Sequence, residues 1–179
     1  MDLGKNLKVV SNYAVGYNNI VVPDATERGI IVTNTPGVLN DSTADCAFML
    51  MMAISRRLVE VDKFVREGKW VKAWGPKMLL GSDVTGKTLG IVGLGRIGQG
   101  MVPRAKGFKM NVIYHNRNPS PEKEKRLGVE YREFDDLLNE ADFVSLHVPL
   151  NDETRHLIGE RELKLMEPTA FLINTSRGP

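Results

Sequence analysis

The stretch TLGIVGLGRIGQG, residues 88–100, decides the fold, because an apolar segment runs into three spaced glycines and then into a helix-forming segment. In a strand–turn–helix unit of this pattern, Gly93 makes the tight turn, Gly95 lets the backbone approach a pyrophosphate, and Gly98 lets helix and strand pack closely. The start of the helix adds free N–H groups and a partial positive charge. The stretch therefore predicts a dinucleotide-binding turn. Two alternatives remain open: a ligand-free connection, and the looser turn of proteins that bind S-adenosylmethionine.

Outward from this turn, strands and helices alternate along the chain. Alternation of this kind predicts an α/β fold with a Rossmann-type, doubly wound parallel sheet, whose crossover helices cover both faces. The predicted strands are 88–93, 110–115, 142–150 and 169–176, and the predicted helical stretches are 96–108, 121–128, 132–140 and 152–166.

A long helix is predicted ahead of this sheet, from Asp41 or Ser42 to about Arg66. Apolar residues recur along it at spacings of three and four. Its flanks are also apolar as far as Ile54, so the first half is predicted to be buried nearly all round. Cys46, in this half, is expected to be a small core residue.

The segments on either side of the long helix have weaker patterns. Residues 67–86 contain Gly, Pro, Trp70 and Trp74 without a clear period, which predicts an irregular arm. Two exposed tryptophans would be unusual, so the arm is predicted to pack on a second subunit or back on its own domain. Before the helix, short strands are predicted at 7–12 and 30–34, with a helical turn at 23–29 between them.

Composition narrows the classes of function. The 179 residues include 24 basic and 22 acidic side chains, a net charge of +2, so nothing favours nucleic acid or a membrane surface as a partner. A single cysteine rules out an intrachain disulfide and fits a reducing compartment. The apolar run 46–54 is too short to span a bilayer, and the first residues carry no signal peptide. The chain is expected to be soluble and cytoplasmic, and no metal site is predicted.

The choice between NAD(H) and NADP(H) is predicted from the end of the second strand of the dinucleotide unit. A carboxylate about 20 residues after the glycine turn accepts hydrogen bonds from the ribose of NAD(H). This sequence has Asn116 and Arg117 there, and no Asp or Glu. Arg117 could pair with the 2′-phosphate of NADP(H), so NADP(H) is predicted to be preferred. The alternative is that Arg117 is a solvated loop residue and both cofactors bind, so NAD(H) remains possible.

Five segments in order carry a resemblance to a known family. They are NYAVGYNNI (12–20), GIIVTNTPGVLNDSTAD (29–45), GKTLGIVGLGRIGQ (86–99), DFVSLHVPL (142–150) and AFLINTSRGP (170–179). Together they resemble the D-isomer-specific 2-hydroxyacid dehydrogenases, and within that family most of all the glyoxylate and hydroxypyruvate reductases. The resemblance implies NAD(P)H-dependent reduction of a small 2-oxo acid to the 2-hydroxy acid, by a homodimer.

The resemblance also implies a domain organisation. The family builds its substrate domain from both ends of the chain and inserts the cofactor domain between them. Residues 1–38 are therefore expected to be part of a flavodoxin-like substrate domain. Residues 39–179 are expected to form an NAD(P)-binding Rossmann domain that is incomplete at its C-terminus. The sequence thus resembles a fragment that lacks the start and the end of the family architecture.

Individual residues gain roles from the resemblance. Arg177 matches the catalytic arginine, which would stabilise negative charge on the carbonyl oxygen of the 2-oxo acid. Val15 and Gly16 match a turn whose N–H groups hold the substrate carboxylate, although a tight turn alone would also call for Gly16. Asn18 departs from the family, which commonly has Asp there. The positions that match cofactor contacts are Thr43, Leu94, Gly95, Arg96, Ile97, Asn116, Arg117, Asn118, Thr175 and Ser176.

The proton donor is expected elsewhere. The family's acid/base is a histidine assisted by a glutamate, and both lie beyond the arginine strand, outside residues 1–179. His147 is the candidate substitute within this sequence, but it is expected to be a hydrogen-bonded strand-end residue. His115 borders residues 116–118, called here the ribose selector, and His156 is expected to be solvated. Residues 1–179 alone are expected to bind cofactor yet reduce almost no glyoxylate. The alternative function is a dinucleotide-binding module without chemistry, such as a redox sensor or corepressor.

Overall fold

The computed structural model describes residues 4, 6–73 and 75–178. Within these residues, strands and helices alternate, except for two consecutive helices between the second and third strands. They are β1 (Val9–Ser11), α1 (Val22–Glu27), β2 (Ile31–Thr33), α2 (Asn40–Ser55), α3 (Leu58–Arg66), β3 (Thr88–Val92), α4 (Arg96–Gly107), β4 (Asn111–His115), α5 (Pro121–Leu127), β5 (Glu130–Tyr131), α6 (Phe134–Glu140), β6 (Phe143–Leu146), α7 (Glu160–Leu165) and β7 (Phe171–Asn174).

The main sheet has five parallel strands in the order β5-β4-β3-β6-β7. Strands β4 and β5 extend it to one side of β3, and β6 and β7 extend it to the other. The predicted Rossmann-type, doubly wound sheet is therefore confirmed. The two-residue strand β5 was not predicted, because it is too short to show a period. Since the strand order reverses between β3 and β6, a crevice lies at the carboxyl ends of these two strands, where ligands of open α/β sheets bind.

The two faces of the sheet bury two separate cores, because successive side chains of a strand point to opposite faces. Leu89 and Ile91 of β3 pack in the core that α2 and α4 cover. Val92 packs in the opposite core, under α6. Gly90 faces α6 as well, and a Cβ there would lie 2.7 Å from a methyl carbon of Leu137. This glycine therefore allows the helix to approach the sheet closely.

A second, two-stranded parallel sheet precedes the main one. It pairs β1 with β2, with Val10 opposite Val32. Helix α1 connects the two strands and buries Ala25. The predicted strands at 7–12 and 30–34 are confirmed at their centres. The assignment of residues 1–38 to a separate substrate domain stays a prediction.

The single long helix predicted from Asp41 or Ser42 to Arg66 was wrong. Helix α2 ends at Ser55, and Arg57 adopts a left-handed φ of 54° before α3 begins. The returning arm explains the break, because the Ser82 N–H donates to the Ser55 carbonyl at 2.8 Å. A Cβ on Gly81 would lie 2.5 Å from that same carbonyl oxygen, so the arm contacts α2 at its end. Arg57 then binds Glu60 in the first turn of α3.

Burial of α2 was also mispredicted. The helix buries one face against α4 and strand β7, through residues such as Ala44 and Met51. Cys46, expected in the core, is exposed. Helix α3 has no buried residue. The exposed large apolar side chains of the two helices, called here the α2–α3 apolar face, are Met49, Leu50, Ile54, Leu58, Val59 and Val65.

The arm at 67–86 is irregular, as predicted. Trp70 in it is 48% exposed, while Trp74 lies outside the described residues. Among the helices of the described part of the chain, none is long and apolar enough to cross a membrane.

Candidate functional site

The glycine turn between β3 and α4 has the geometry that its spacing predicted. Gly93 has a φ of 99°, which disfavours other residues, and a Cβ there would lie 2.8 Å from the His147 carbonyl oxygen. A Cβ on Gly98 would overlap the Gly93 carbonyl oxygen, so helix and strand pack closely. A Cβ on Gly95 would meet nothing within 4 Å. The space above Gly95 is therefore open to a ligand.

Helix α4 directs its N-terminus at this open space. Gly95 is the N-cap, and no side chain caps the helix through a hydrogen bond. Arg96 is exposed, and Ile97 packs partly buried against the core. The first N–H groups of a helix carry a partial positive charge and suit an anion.

The predicted ribose selector is tied to the glycine turn. The Asn116 side-chain oxygen accepts a hydrogen bond from the Leu94 N–H at 2.7 Å. On the other side, the Lys123 ammonium approaches the Leu94 carbonyl oxygen at 3.4 Å. Lys123 was not predicted at the site, because the sequence does not distinguish a lysine in the polar helix α5 from an ordinary solvent-exposed lysine. It places a further cation beside the turn.

Arg117 has a partner that the sequence did not reveal. Its guanidinium forms an ion pair with the carboxylate of Glu153, in the loop after β6. Both side chains remain largely exposed. Asn118 is exposed beside them. No local pattern points to this pair, because its two members are far apart in the chain and belong to different loops.

The end of β7 brings two further predicted residues to the same crevice. The Ser176 hydroxyl donates to the Leu146 carbonyl at 2.9 Å, which joins β7 to β6. The hydroxyl oxygen of Thr175 is buried and has no hydrogen-bond partner among the described residues. A buried polar atom of this kind calls for a partner. Together with the open space above Gly95, it fits a dinucleotide along the carboxyl edge of the sheet.

Thr43 is the least defined of the predicted cofactor residues. It lies half-buried in the first turn of α2, and its N–H donates to the Leu39 carbonyl at 2.9 Å. Its approach to a cofactor stays a prediction.

Arg177 reaches the turn at Val15 and Gly16, far away in the sequence. The Arg177 Nε donates to the Asn18 side-chain oxygen at 3.3 Å, and Nη1 donates to the Ser176 carbonyl at 2.8 Å. A Cβ on Gly16 would overlap Nη2 of Arg177, so the guanidinium lies directly on this glycine. Because Asn18 is neutral, this contact leaves the charge of Arg177 uncompensated.

Two asparagines that the sequence analysis missed hold the turn. The Asn12 amide donates to the Gly16 carbonyl at 2.8 Å, and the Asn34 amide donates to the Val15 carbonyl at 2.8 Å. A signal was available, because each asparagine directly follows one of the paired parallel strands β1 and β2. Such residues meet at one edge of the sheet. With the carbonyl groups held in this way, the turn has a fixed orientation toward Arg177.

The three histidines differ in environment. His115 has its Nδ1 3.0 Å from the Arg132 carbonyl oxygen. His156 is exposed, with a left-handed φ of 55°. The Nε2 atom of His147 lies 2.9 Å from the buried Ser145 hydroxyl, and burial lowers the pKa of this histidine from 6.5 to about 4. His147 is therefore neutral near pH 7, as expected for a hydrogen-bonded strand-end residue.

This burial predicts that stability falls in acid. Because the pKa of His147 is about 4 in the folded state and 6.5 in its usual range, the unfolded chain takes up the proton first as the pH falls. The free energy of unfolding should drop between pH 6.5 and pH 4, by up to about 3 kcal/mol. Urea unfolding at several pH values measures this drop, and a His147→Gln variant should lack this part of it. Equal pH dependence in both proteins would contradict the prediction.

Among the described residues, no group of three or more His, Cys, Asp or Glu side chains is arranged to hold a metal ion.

Comparison with known proteins identifies relatives of this chain. Residues 48–179 match the family model for the NAD binding domain of D-isomer specific 2-hydroxyacid dehydrogenases. A glyoxylate reductase from Thermococcus litoralis is 61% identical over 175 residues, which are 96% of this chain and 53% of that protein. A crystal structure of a protein from Thermus thermophilus superimposes with a TM-score of 0.93 at 48% identity, covering 99% of this chain and 55% of the other.

A second similar solved structure is that of a named enzyme. The crystal structure of a glyoxylate reductase from Paecilomyes thermophila has a TM-score of 0.87 at 43% identity, and covers 97% of this chain and 52% of that one. The chain thus spans about half the length of the relatives that it matches.

Proposed function

This chain belongs to the D-isomer-specific 2-hydroxyacid dehydrogenase family, and from that premise we propose that it serves the reduction of a small 2-oxo acid, of the glyoxylate or hydroxypyruvate type, with NADP(H) preferred over NAD(H). The observation that carries the proposal is the contact of Arg177 with the Gly16 turn at the carboxyl edge of the sheet. A cationic group and a turn with free N–H groups there suit a carboxylate.

The residues of the cleft have distinct proposed roles. The N–H groups of Val15 and Gly16 hold the substrate carboxylate, and Arg177 binds the same carboxylate and faces the carbonyl oxygen. As that oxygen gains negative charge, the guanidinium stabilises it more strongly than it stabilised the neutral ketone or aldehyde. The neutral partner Asn18 supports this role, since it leaves the arginine charge available.

The cofactor would lie along the same edge. Its pyrophosphate would rest on the open backbone at Gly95, its adenosine ribose would face Asn116 and Arg117, and its nicotinamide end would face Thr175. When bound in reduced form, the nicotinamide supplies a hydride to the carbonyl carbon of the substrate. The unpartnered hydroxyl of Thr175 supports this orientation.

The alternative of a dinucleotide-binding module without chemistry is less well supported. A sensor or corepressor needs the glycine turn and the ribose selector, but it has no need for an arginine set on a substrate-binding turn. The test of the enzymatic function is glyoxylate reduction by a chain in which residues 1–179 are joined to the remaining segments of the Thermococcus litoralis glyoxylate reductase. This protein is called here the extended chain.

NADPH is expected to bind more tightly than NADH, and exchange of two residues should reverse this order. A hydrogen bond to a charged group contributes roughly 1.5–3 kcal/mol, or about 10- to 100-fold in affinity. Asn116→Asp keeps the oxygen that accepts the Leu94 N–H, so the turn should survive. Combined with Arg117→Ser, it should favour NADH. Fluorescence titration gives both dissociation constants, with Asn139→Ala, at an exposed asparagine of α6, as the control. Equal constants in the starting protein would refute the predicted preference.

We also propose that the chain forms a homodimer through the α2–α3 apolar face. Leu50 and Ile54 lie one turn apart on the same side of α2 and are 42% and 56% exposed. Exposed apolar surface of this kind marks association sites. Sedimentation should show a dimer at micromolar concentration, and Ile54→Lys should convert it to a monomer. Leu163→Lys, a similarly exposed position on α7, is the control and should leave the dimer intact. A monomer well above micromolar concentration in the starting protein would rule this assembly out.

A further inference from the structure

We propose that Glu153 is a specificity-determining residue of the cofactor site, whose carboxylate competes with the 2′-phosphate of NADP(H) for Arg117. The inference rests on the proposed function, since it assumes that Arg117 faces the adenosine ribose. It adds an acidic residue to a selector that the local sequence presents as free of acid, because Asn116, Arg117 and Asn118 contain no carboxylate.

The position of Arg117 is set by its neighbour. Asn116 accepts the Leu94 N–H at 2.7 Å, so the loop after β4 is attached to the glycine turn. Arg117 therefore leaves the backbone beside the place where the adenosine ribose would lie. Its guanidinium meets the carboxylate of Glu153 there.

Glu153 lies in the loop after a different strand, β6. Strand β6 pairs with β3 in parallel, and β3 pairs with β4 in parallel, so the loops after β4 and β6 emerge at the same edge of the sheet. The Asn151 side-chain oxygen accepts the N–H groups of Glu153 and Thr154, both at 3.0 Å. The Asn151 N–H donates in turn to the Thr154 hydroxyl at 3.0 Å. These bonds fix the backbone that carries Glu153.

The chemistry of the two cofactors makes the carboxylate selective. A 2′-phosphate needs the guanidinium of Arg117 and is repelled by the charge of Glu153, so the carboxylate must share the arginine or turn away. The 2′-hydroxyl of NAD(H) carries no charge and does not compete for the ion pair. Glu153 should therefore weaken the binding of NADP(H) without weakening that of NAD(H).

The expected change in NADPH affinity depends on how exposed the two side chains are. The side chains of Arg117 and Glu153 are 72% and 64% exposed, so solvent and salt screen their interaction. An increase in NADPH affinity of about 3- to 10-fold is expected on removal of the charge, larger at low salt than at high salt.

The experiment compares Glu153→Gln with the starting chain of residues 1–179 in fluorescence titrations with NADPH and with NADH. NADPH should bind about 3- to 10-fold more tightly to the variant, and NADH should change by less than about 2-fold. The control Asp152→Asn removes the same charge from the preceding position and leaves the Arg117–Glu153 pair in place, so it should change neither constant. Unchanged NADPH binding in Glu153→Gln would overturn the inference, and so would an equal gain in Asp152→Asn.

A second pair of variants tests whether the effect passes through Arg117. In an Arg117→Ser background, Glu153→Gln should raise NADPH affinity by a smaller factor than in the starting chain. An equal factor in both backgrounds would overturn the competition. Failure of the proposed NADP(H) preference gives a different result from failure of this inference. If the preference is wrong, the starting chain binds NADPH and NADH equally well, while Glu153→Gln must still raise the affinity for NADPH.

Discussion

Arg177→Ala is expected to lower kcat/KM for glyoxylate about 10²- to 10³-fold in the extended chain, the loss that follows removal of one group that stabilises a developing oxyanion. The guanidinium lies on Gly16 and binds Asn18 at 3.3 Å, where it can hold the substrate carboxylate and the carbonyl oxygen together. Arg177→Lys should recover only part of the activity, because an ammonium is a point charge that cannot bind a carboxylate through two parallel hydrogen bonds.

The measurement is steady-state oxidation of NADPH, together with titration of NADPH binding. Both Arg177 variants should bind NADPH as the unchanged protein does, since the arginine faces the substrate turn rather than the glycine turn. Lys125→Ala, at an exposed lysine of α5, removes a positive charge from another surface and should keep full activity. Full activity in Arg177→Ala would show that the proposed catalytic role is wrong.

Residues 1–179 alone are expected to reduce glyoxylate about 10²- to 10⁴-fold more slowly than the extended chain, which is the usual contribution of a positioned acid/base. The described hydrogen-bond partners of the Arg177 side chain are the Asn18 amide and the Ser176 carbonyl, and neither is an acid. His147 is half-buried, and its pKa is lowered to about 4 by desolvation, so it is not in its acidic, protonated form near pH 7.

Side-by-side assays with NADPH and glyoxylate test this expectation, after titration has shown that both proteins bind NADPH. Comparable turnover by the two proteins would mean that the acid lies within residues 1–179. His147 would then be the first residue to replace, and a loss of turnover in His147→Gln would identify it as the donor.

The parts of this protein that the sequence predicted correctly are local. The spacing of Gly93, Gly95 and Gly98 predicted a turn whose φ value and close contacts the structure reproduces. The alternation of apolar strands with helices predicted the parallel sheet. Both succeed because each depends on neighbours within one strand–turn–helix unit, where backbone sterics and side-chain period act directly.

The errors lie where a distant segment changes a local preference. The apolar pattern of residues 41–66 is compatible with one helix. The arm, however, brings the N–H of Ser82 to the carbonyl of Ser55, and the helix is interrupted at Arg57. The apolar residues of α2 suggested burial all round, yet α4 and β7 cover one face only, so Cys46 and Met49 are exposed. Periodicity measures how apolar a face is, and it does not show what packs against that face.

The sequence by itself determined the fold class, the dinucleotide turn and the family, because these are written in residue spacing and in motifs that follow one another along the chain. Only the tertiary structure decided which distant groups meet. It set Arg177 on the turn at Gly16 and Glu153 against Arg117. Within the five-stranded sheet, parallel strands bring the loops after β4 and β6 to one edge regardless of their separation in the chain. Arg177, after β7, meets a turn that follows β1 of the other sheet, so both contacts depend on tertiary packing and not on sequence distance.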